Sequence, residues 1–451
     1  MYEIFVRMKK IAIILLVIGA LIGCSKSQDS TTLSSVAQIT AMYLAANDSF
    51  PGFANASFAV EERGDTGYIF TKDSIMFNTP IERAVVRFTY AATPSRVTFI
   101  APAGTKELSG KDTLDLTQNS MYFRVLSQDG KIAKYYRLLV QIHQVDPDLF
   151  HWDKVCNAVG TPSQDQRALL FNDELYYFIQ ENNAVSLYTS LEGDSWTKQT
   201  VSGLPNGCST EHIIAAFDNL YCIGPDHKLY GSADGLDWSM INIIPANTTV
   251  LALLFPLGEY LWAIGQDEQQ NLRGYYFTND NWGGSIAIPA KTGIQHFAAA
   301  LFASPSFRER AMIMGGVDLN GEPTNSHLNF EYSPTISEPG NVRLTEYTNQ
   351  HPDLDTLIGA SLIWYVETLY RIGGVNKEDN YLPSPMYETF NEGLDWSVPD
   401  STKNVLPAEL TERRGVSTIV KDYDLYIIGG YNNSGAFSDV YKGRKLSADW
   451  Y

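Results

Sequence analysis

The sequence predicts an all-β protein, and three observations lead to that expectation. The chain of 451 residues contains 26 tyrosines, 21 phenylalanines and 34 glycines, a composition that favours strands joined by tight turns. Sustained helical periodicity is rare, whereas short runs of alternating apolar and polar residues are frequent. A phrase built on Leu-Tyr and an apolar run, in most copies closing on glycine, also recurs six times between residues 168 and 450.

The recurring phrase predicts the architecture of the larger part of the chain. Successive copies lie 45, 41, 50, 58 and 56 residues apart. They begin at Leu175, Leu220, Leu261, Ala311, Leu369 and Leu425. A period of this length built from short strands is typical of β-propeller blades. The sequence therefore predicts six blades, one for each copy.

A second pattern marks the outer hairpin of several blades. The segment from Tyr188 to Trp196 matches the segment from Tyr230 to Trp238, and residues 387–396 repeat the pattern with one insertion. Each copy contains a glycine turn followed by tryptophan, and a tight hairpin requires such a turn and such an aromatic anchor. We expect the fourth strand of these blades to begin at the tryptophan.

The last copy reaches Trp450 without the strand that follows the tryptophan elsewhere. The segment Trp152–Cys156, just before the first copy, offers a candidate for that strand. A strand from the beginning of the unit that completes the last blade would close the ring and hide both sheet edges. We therefore assign residues 150–451 to a propeller closed by its own first strand.

Residues 35–146 have a different pattern, which predicts a small β-sandwich. Two alternating runs, 122–125 and 135–140, flank Asp129-Gly130, and Asp-Gly between such runs is a strong hairpin signal. Pro147 interrupts strand pairing and marks the junction between the two units. A chain of this length is expected to form two such units.

The first 23 residues have the pattern of a targeting segment. A basic stretch that includes Arg7 precedes an apolar run over residues 11–20, which is too short to span a bilayer. The ending Leu21-Ile-Gly-Cys24 resembles a bacterial lipobox. That resemblance implies a lipoprotein signal peptide over residues 1–23 and a lipid on Cys24, whichever of Met1 and Met8 starts translation.

The lipobox also sets expectations for the setting of the protein. Residues 24–34 are polar without a strand pattern, so we expect a lipidated tether. The expected location is the outer membrane, with the chain anchored by lipid and exposed on the cell surface.

Two further resemblances refine the expected folds. Arg413, an apolar strand and the run from Leu425 to Gly429-Gly430 resemble a kelch repeat, and copies four to six keep the double glycine. The hairpin over 122–140 resembles the last hairpin of immunoglobulin-like domains in bacterial surface proteins. With the lipobox, the chain resembles a family of Bacteroidota surface lipoproteins. The resemblance implies an immunoglobulin-like β-sandwich followed by a six-bladed kelch-like β-propeller, and no particular activity.

Charge and cysteine content exclude several classes of function. The net charge of -18 disfavours binding to nucleic acid, whose phosphates would be repelled. With Cys24 committed to lipid, Cys156, Cys208 and Cys222 cannot all pair, so no disulfide framework is expected. No Cys-x-x-Cys or His-Cys cluster is present, so we expect neither a metal nor another cofactor.

The candidate binding site consists of the residues that lead into the inner strand of each blade. These residues are Arg167, His212, Thr249, His296, Leu357 and Arg414. Four of them, Arg167, His212, His296 and Arg414, are cationic or can become so, although the protein is strongly acidic. They predict a channel mouth that binds an anionic or hydroxyl-rich ligand. Alternatively, the same side chains satisfy loop carbonyls between blades.

Several functions remain open from the sequence. The leading hypothesis is a surface lipoprotein whose propeller binds a glycan or protein partner without catalysis. A kelch-type sugar epimerase or mutarotase is an alternative, in which Glu211, His212 and Arg414 would supply the base and the cation. The turns at 190–196 and 232–238 also resemble the Asp boxes of sialidases, although those turns carry no catalysis. A purely structural role in an outer-membrane uptake complex is a further possibility.

Overall fold

The computed structural model describes residues 32–245, 247–278, 281–303, 309–347, 354, 356–403 and 405–450. The chain divides into two compact units, Met1–Asp146 and Pro147–Tyr451. The expected signal peptide and Cys24 lie outside the described residues. The regular secondary structure of the described residues is almost wholly strand, which confirms the all-β prediction. Helical structure among them is limited to one turn of α-helix, α1 (Gly52–Asn55), and to 3-10 turns at Ile81–Arg83, Thr210–His212, Pro339–Asn341, Ser401–Lys403 and Leu446–Trp450.

The first unit consists of two sheets around one core. Its strands are β1 (Ile39–Leu44), β2 (Phe58–Arg63), β3 (Thr66–Thr71), β4 (Ala84–Tyr90), β5 (Arg96–Ala101), β6 (Gly104–Glu107), β7 (Thr113–Leu114), β8 (Met121–Leu126) and β9 (Ala133–Leu139). One sheet has the order β1-β4-β7 and the other β2-β3-β9-β8-β5-β6. Buried Val86 of the first sheet and Phe123 of the second belong to the same apolar cluster.

The hairpin predicted around Asp129-Gly130 is confirmed. Strands β8 and β9 pair antiparallel across this turn, and Gly130 has a φ of 72°, a conformation that favours glycine. Next to the hairpin, β9 pairs parallel with β3. The Tyr136 hydroxyl of β9 donates a hydrogen bond of 2.7 Å to Glu62 and accepts one of 3.0 Å from the Ile39 amide. Tyr136 thus connects the two sheets.

The described residues of the second unit form six antiparallel sheets, numbered here in chain order. The strands of the first three are β11 (Gln166–Phe171), β12 (Glu174–Glu181), β13 (Ala184–Ser190), β14 (Thr197–Gln199); β15 (Ile214–Ala216), β16 (Asn219–Ile223), β17 (Leu229–Ser232), β18 (Ser239–Ile241); β19 (Thr249–Leu257), β20 (Tyr260–Gln266), β21 (Leu272–Phe277) and β22 (Trp282–Ala287). The fourth and fifth are β23 (Ala298–Ala303), β24 (Glu309–Met314), β25 (His327–Tyr332), β26 (Val342–Glu346); β27 (Ser361–Tyr365), β28 (Thr368–Ile372) and β29 (Met386–Thr389). The sixth sheet consists of β30 (Ser417–Lys421), β31 (Asp424–Asn432), β32 (Gly435–Lys445) and the early strand β10 (Phe150–Cys156).

The six sheets are arranged in a ring. The first strand of each sheet contacts the first strand of the next, and β30 of the sixth sheet contacts β11 of the first. Side chains reinforce two of these contacts, because Ser417 accepts a hydrogen bond of 2.8 Å from the Ala168 amide and Ser361 bonds Thr418 at 2.7 Å. Five of the six sheets have four strands and the fifth has three among the described residues. A closed ring of such antiparallel sheets is the arrangement of a β-propeller. We call the end of the ring where the first strands begin the loop end, and the opposite end the turn end.

The predicted closing strand is confirmed. Strand β10 pairs antiparallel with β32, and the register joins Phe150 to Lys445 and Trp152 to Gly443. Asp439 of β32 forms a buried ion pair of 2.6 Å with Arg413, which precedes β30 in the chain. The edge that the last sheet would otherwise expose is therefore covered by the chain's own strand.

The repeated glycine-tryptophan segments form the outer turns as predicted. In the first sheet the Gly193 amide donates to the Ser190 hydroxyl, and Trp196 Nε1 donates to the Gly193 carbonyl at 2.9 Å. Ser232, Gly235 and Trp238 repeat the arrangement in the second sheet, with the same 2.9 Å indole bond. These turns lie at the turn end of the ring.

The double glycines hold neighbouring sheets together at the loop end. Gly315 and Gly316 have φ values of 66° and 87°, and the Gly316 amide donates a hydrogen bond of 2.6 Å to the Leu357 carbonyl. A Cβ atom on Gly315 would lie 2.1 Å from that carbonyl oxygen. Glycine is therefore required where the backbone of one sheet approaches the segment that leads into the next.

Candidate functional site

A cavity of about 430 Å³ lies at the centre of the ring, at the loop end. The beginnings of the first strands contribute most of its wall. The wall includes the apolar side chains of Leu253 and Leu254 and the hydroxyl groups of Ser361, Ser417 and Thr418. Its size and its mixture of apolar and polar groups are typical of a small-molecule site.

Among the described residues, one arginine lines this cavity, Arg167. The side chain belongs to β11 and is half-buried, because protein surrounds it on the sides that do not face the cavity. Its Nε atom is buried and has no hydrogen-bond partner among the described residues. Burial lowers the pKa of Arg167, and the nearby Glu211 carboxylate opposes this shift. Since a guanidinium remains protonated even after such a shift, the cavity wall contains a permanent cation.

The Glu211 carboxylate is already engaged by His296. Its Oε1 atom accepts a hydrogen bond from the His296 amide, and its Oε2 atom lies 3.4 Å from His296 Nδ1. His296 has a φ of 54° and a side chain that is 47% exposed. Since Glu211 precedes the second sheet and His296 precedes the fourth, this contact joins two distant parts of the ring across the loop end.

The turn that carries Glu211 is fixed by its neighbours. Asp165 accepts hydrogen bonds of 2.8 Å from the Thr210 amide and 2.6 Å from the Thr210 hydroxyl. Ser209 caps the 3-10 turn by accepting a bond of 3.3 Å from the Glu211 amide. Asp165 also lies two residues before Arg167 in the chain, so one short segment positions both the cation and the turn that carries the carboxylate.

The structure separates the four residues that the sequence predicted to bind a ligand. Arg167 and His296 line the cavity. His212 is 7% exposed and lies outside the cavity wall. Burial lowers the pKa of His212, while the Glu211 carboxylate opposes this shift. His212 ends the 3-10 turn that carries Glu211, and its buried Nδ1 atom has no hydrogen-bond partner among the described residues.

Arg414 lies beside the cavity without lining it. Its guanidinium forms an ion pair with Asp379 and lies 5.0 Å from the centre of the Tyr431 ring. Tyr431 does line the cavity. Burial raises the pKa of Tyr431, and Arg414 opposes the shift. Arg414 therefore contacts a residue of the cavity wall, Tyr431, without lining the cavity itself.

Sequence reasoning missed Tyr431 and treated Glu211 only as a candidate base. Tyr431 follows Gly429-Gly430 directly, and a double glycine at the loop end was the available signal for it. Glu211 could be placed in the cavity only through its contact with His296, 85 residues away. Thr249 and Leu357, the other two residues that lead into first strands, do not line the cavity.

The described residues contain no group of three or more His, Cys, Asp or Glu side chains arranged to hold a metal ion. In the part of the chain that the structure describes, no helix has the length and apolar character to cross a membrane.

Comparison with solved structures gives distant matches. The structure of YjhT shares 13% identity and a TM-score of 0.46, over 63% of this chain and 96% of that one. An α-L-arabinanase of Penicillium chrysogenum, complexed with arabinobiose, shares 13% identity and a TM-score of 0.40, over 66% of this chain and 98% of that one. No curated protein matches the chain significantly.

The family comparison covers the ring that holds the cavity. The sequence model of the DUF6242 beta propeller domain matches residues 146–451. This range is more than half of the chain and contains all six sheets of the second unit. The protein therefore belongs to the DUF6242 beta propeller family.

Proposed function

We propose that the propeller is a non-catalytic binding module whose central cavity holds an acidic sugar at the end of a glycan. The observation that carries the proposal is Arg167, a permanent cation in the cavity wall. Glu211, the carboxylate whose charge acts on Arg167, is bonded to His296. An anionic ligand would pair with this guanidinium, whose Nε atom has no hydrogen-bond partner among the described residues, through the paired hydrogen bonds that guanidinium and carboxylate groups form.

The rest of the wall suits a sugar. The hydroxyl groups of Ser361, Ser417 and Thr418 can exchange hydrogen bonds with a hydroxyl-rich ligand. Leu253 and Leu254 offer apolar surface for the carbon face of a sugar ring. A volume of about 430 Å³ favours one or two sugar units over a protein surface.

The proposal includes the setting that the sequence predicts. The six sheets would be six blades of kelch type, which the contact of Gly316 with Leu357 supports. The first unit would be an immunoglobulin-like spacer, which its two sheets around one core support. A lipid on Cys24 would anchor the chain at the outer membrane, exposed on the cell surface.

The test compares acidic sugars with neutral sugars of the same shape. Calorimetry on the full chain would measure binding of glucuronate against glucose and galacturonate against galactose, with N-acetylneuraminate as a larger acid. We expect at least one acid to bind at least about tenfold more tightly than a neutral sugar, since a charged hydrogen-bonded pair contributes that much. Equal binding of acids and neutral sugars would contradict the proposal.

Variants locate the binding in the cavity. Arg167→Met keeps the length of the side chain and removes its charge, so we expect at least about tenfold weaker binding of the acid. Arg273→Met is the matched control, because Arg273 bonds Ser285 on outer strands and does not line the cavity. Wild-type affinity in Arg167→Met would show that the ligand binds elsewhere. A protein partner that binds independently of Arg167 would favour a scaffold role.

A sugar epimerase or mutarotase is the second candidate function. The contact between Glu211 and His296, next to Arg167, favours it, since a carboxylate and an imidazole can move a proton at a carbon or oxygen of a bound sugar. The acid that binds would be followed by NMR for interconversion of its forms. Glu211→Gln would abolish the acceleration and retain binding if the cavity is catalytic. If the wild-type chain does not accelerate this interconversion, the non-catalytic binding module remains the proposed function.

A further inference from the structure

Two buried thiols meet behind the turn that carries Glu211. Cys208 and Cys222 are 1% and 0% exposed, and their sulfur atoms lie 3.9 Å apart. Cys222 belongs to β16, whereas Cys208 belongs to the loop before the 3-10 turn Thr210–His212. The third described cysteine, Cys156, is half-buried and contacts the Ala158 carbonyl.

We propose that Cys208 and Cys222 form a disulfide bond that ties the Glu211 turn to strand β16. The two sulfur atoms would approach to the bond length of about 2 Å by rotation of their side chains. The residues are separated by 14 positions in the chain, so the ring that the bond closes is short and forms readily. The bond would add a covalent link on one side of a turn that Asp165 already holds on the other.

In the folded chain the two thiols differ in acidity. Their sulfur contact lowers the pKa of Cys208, and the same contact and burial raise the pKa of Cys222. Cys208 is therefore the more readily ionised thiol of the folded pair.

The oxidant is an external disulfide, such as oxidised glutathione or a protein disulfide. The thiolate of one cysteine attacks a sulfur atom of the external disulfide, which breaks that disulfide and releases one thiolate. The other cysteine then gives up its proton and attacks the first, which releases the second thiolate. The protein pair loses two electrons and two protons, and the external disulfide becomes two thiols. Because both thiols are buried in the folded chain, we expect this exchange to occur while the chain folds.

The sequence makes the bond directly measurable. Trypsin cuts after Lys198 and Lys228 and at no position between them, so one peptide, 199–228, contains both cysteines. Cys156 falls on a separate peptide, 155–167. The full chain would be refolded in a buffer of oxidised and reduced glutathione, denatured, alkylated with iodoacetamide and digested.

We expect peptide 199–228 to be unalkylated and lighter by two hydrogen atoms than its reduced form. After reduction it should accept two alkyl groups. A Cys156→Ser control should give the same result. A peptide that accepts two alkyl groups without reduction, or one that is crosslinked to 155–167, would overturn the proposal.

Thermal unfolding gives a second readout on the same chain. We expect the oxidised protein to melt about 5 °C or more above the reduced protein, because the bond restricts the unfolded chain. Cys208→Ser should remove this dependence on reductant, whereas Cys156→Ser should retain it. Equal melting temperatures of the oxidised and reduced wild-type chain would show that the bond, if formed, does not hold the turn. The peptide mass decides the matter if Cys208→Ser does not fold.

Discussion

The two ends of the ring are built differently. At the turn end, residue pairs such as Asn172-Asp173 and Asp422-Tyr423 join first and second strands, and both residues of each pair have positive φ. These are the tight turns that match the twist of antiparallel strands. At the loop end, the 14 residues from 200 to 213 lead from β14 to β15. The tight turns at the turn end therefore fix the register between first and second strands. At the loop end the connecting backbone forms no strand ladder, so its position depends on hydrogen bonds from side chains.

The cavity follows from that difference. At the loop end Asp165 holds Thr210, and Glu211 holds His296, so side chains supply the hydrogen bonds that a strand ladder supplies elsewhere. The cation Arg167, near the beginning of β11, therefore lies beside the irregular backbone of the loop end. The acidic residues Asp173 and Asp422 lie at the opposite end of the ring.

The largest effect is expected where the loop end joins two sheets. Gly315→Ala would place a Cβ atom 2.1 Å from the Leu357 carbonyl oxygen, at a φ of 66°. We expect a loss of about 4 kcal/mol in the free energy of unfolding, from the clash and the strained φ together. Chemical denaturation would measure it.

Gly321→Ala is the matched control for this prediction. Gly321 also has a positive φ, 78°, but a Cβ atom there meets no other atom within 4 Å. Its cost should be about 1 kcal/mol, from φ alone. Equal costs at the two glycines would contradict the close approach between sheets.

A smaller effect is expected from acid at His327. This side chain is 1% exposed at the beginning of β25, and burial lowers its pKa to about 4. The unfolded chain binds the proton more readily, so stability is complete above pH ~6.5 and is lost as the pH falls toward 4. We expect a loss of about 2 kcal/mol between pH 7 and pH 5. The same titration of His327→Gln should lack this component, and an unchanged profile would contradict the assignment.

At the turn end, the indole hydrogen bonds should contribute about 1 kcal/mol each. Trp238→Phe removes the bond to the Gly235 carbonyl and leaves most of the packing. Trp396→Phe is the comparison, because Trp396 Nε1 is buried without a hydrogen-bond partner among the described residues. We expect Trp238→Phe to cost about 1 kcal/mol more than Trp396→Phe in urea denaturation. A reversed order would contradict this role of the bond.

The smallest effect is a gain in stability. Asp173 has a φ of 59° in the turn Asn172-Asp173, and Asn-Gly is the preferred pair for such a turn. Asp173→Gly should stabilise the chain by about 0.5 kcal/mol in urea denaturation. Ligand affinity should not change, because the turn lies at the end opposite the cavity. A change in affinity would show that the two ends are coupled.

The regular features of the ring could be predicted from the sequence. The repeated phrase located the sheets, and the absent last strand pointed to Trp152–Cys156, which lies within the observed strand Phe150–Cys156. The sequence could not predict that His212 is buried and that His296 lines the cavity, since both residues precede first strands. A 3-10 turn at Thr210–His212 directs Glu211 toward the cavity and buries His212. That choice depends on contacts with Asp165 and His296, which are distant in the chain and leave no local pattern.

The closing strand has a consequence for the order of assembly. Strand β10 is the first strand of the second unit to be synthesised, yet its partner β32 ends at Lys445. The nearby hydrogen bond from Val159 to Ser438 joins residues 279 positions apart. During synthesis β10 has no partner in the ring until almost the whole unit exists. Contacts so distant in the chain form slowly. Deleting β32 together with the residues after it should therefore release two open edges at once, on β10 and on β31, and make the chain prone to aggregation.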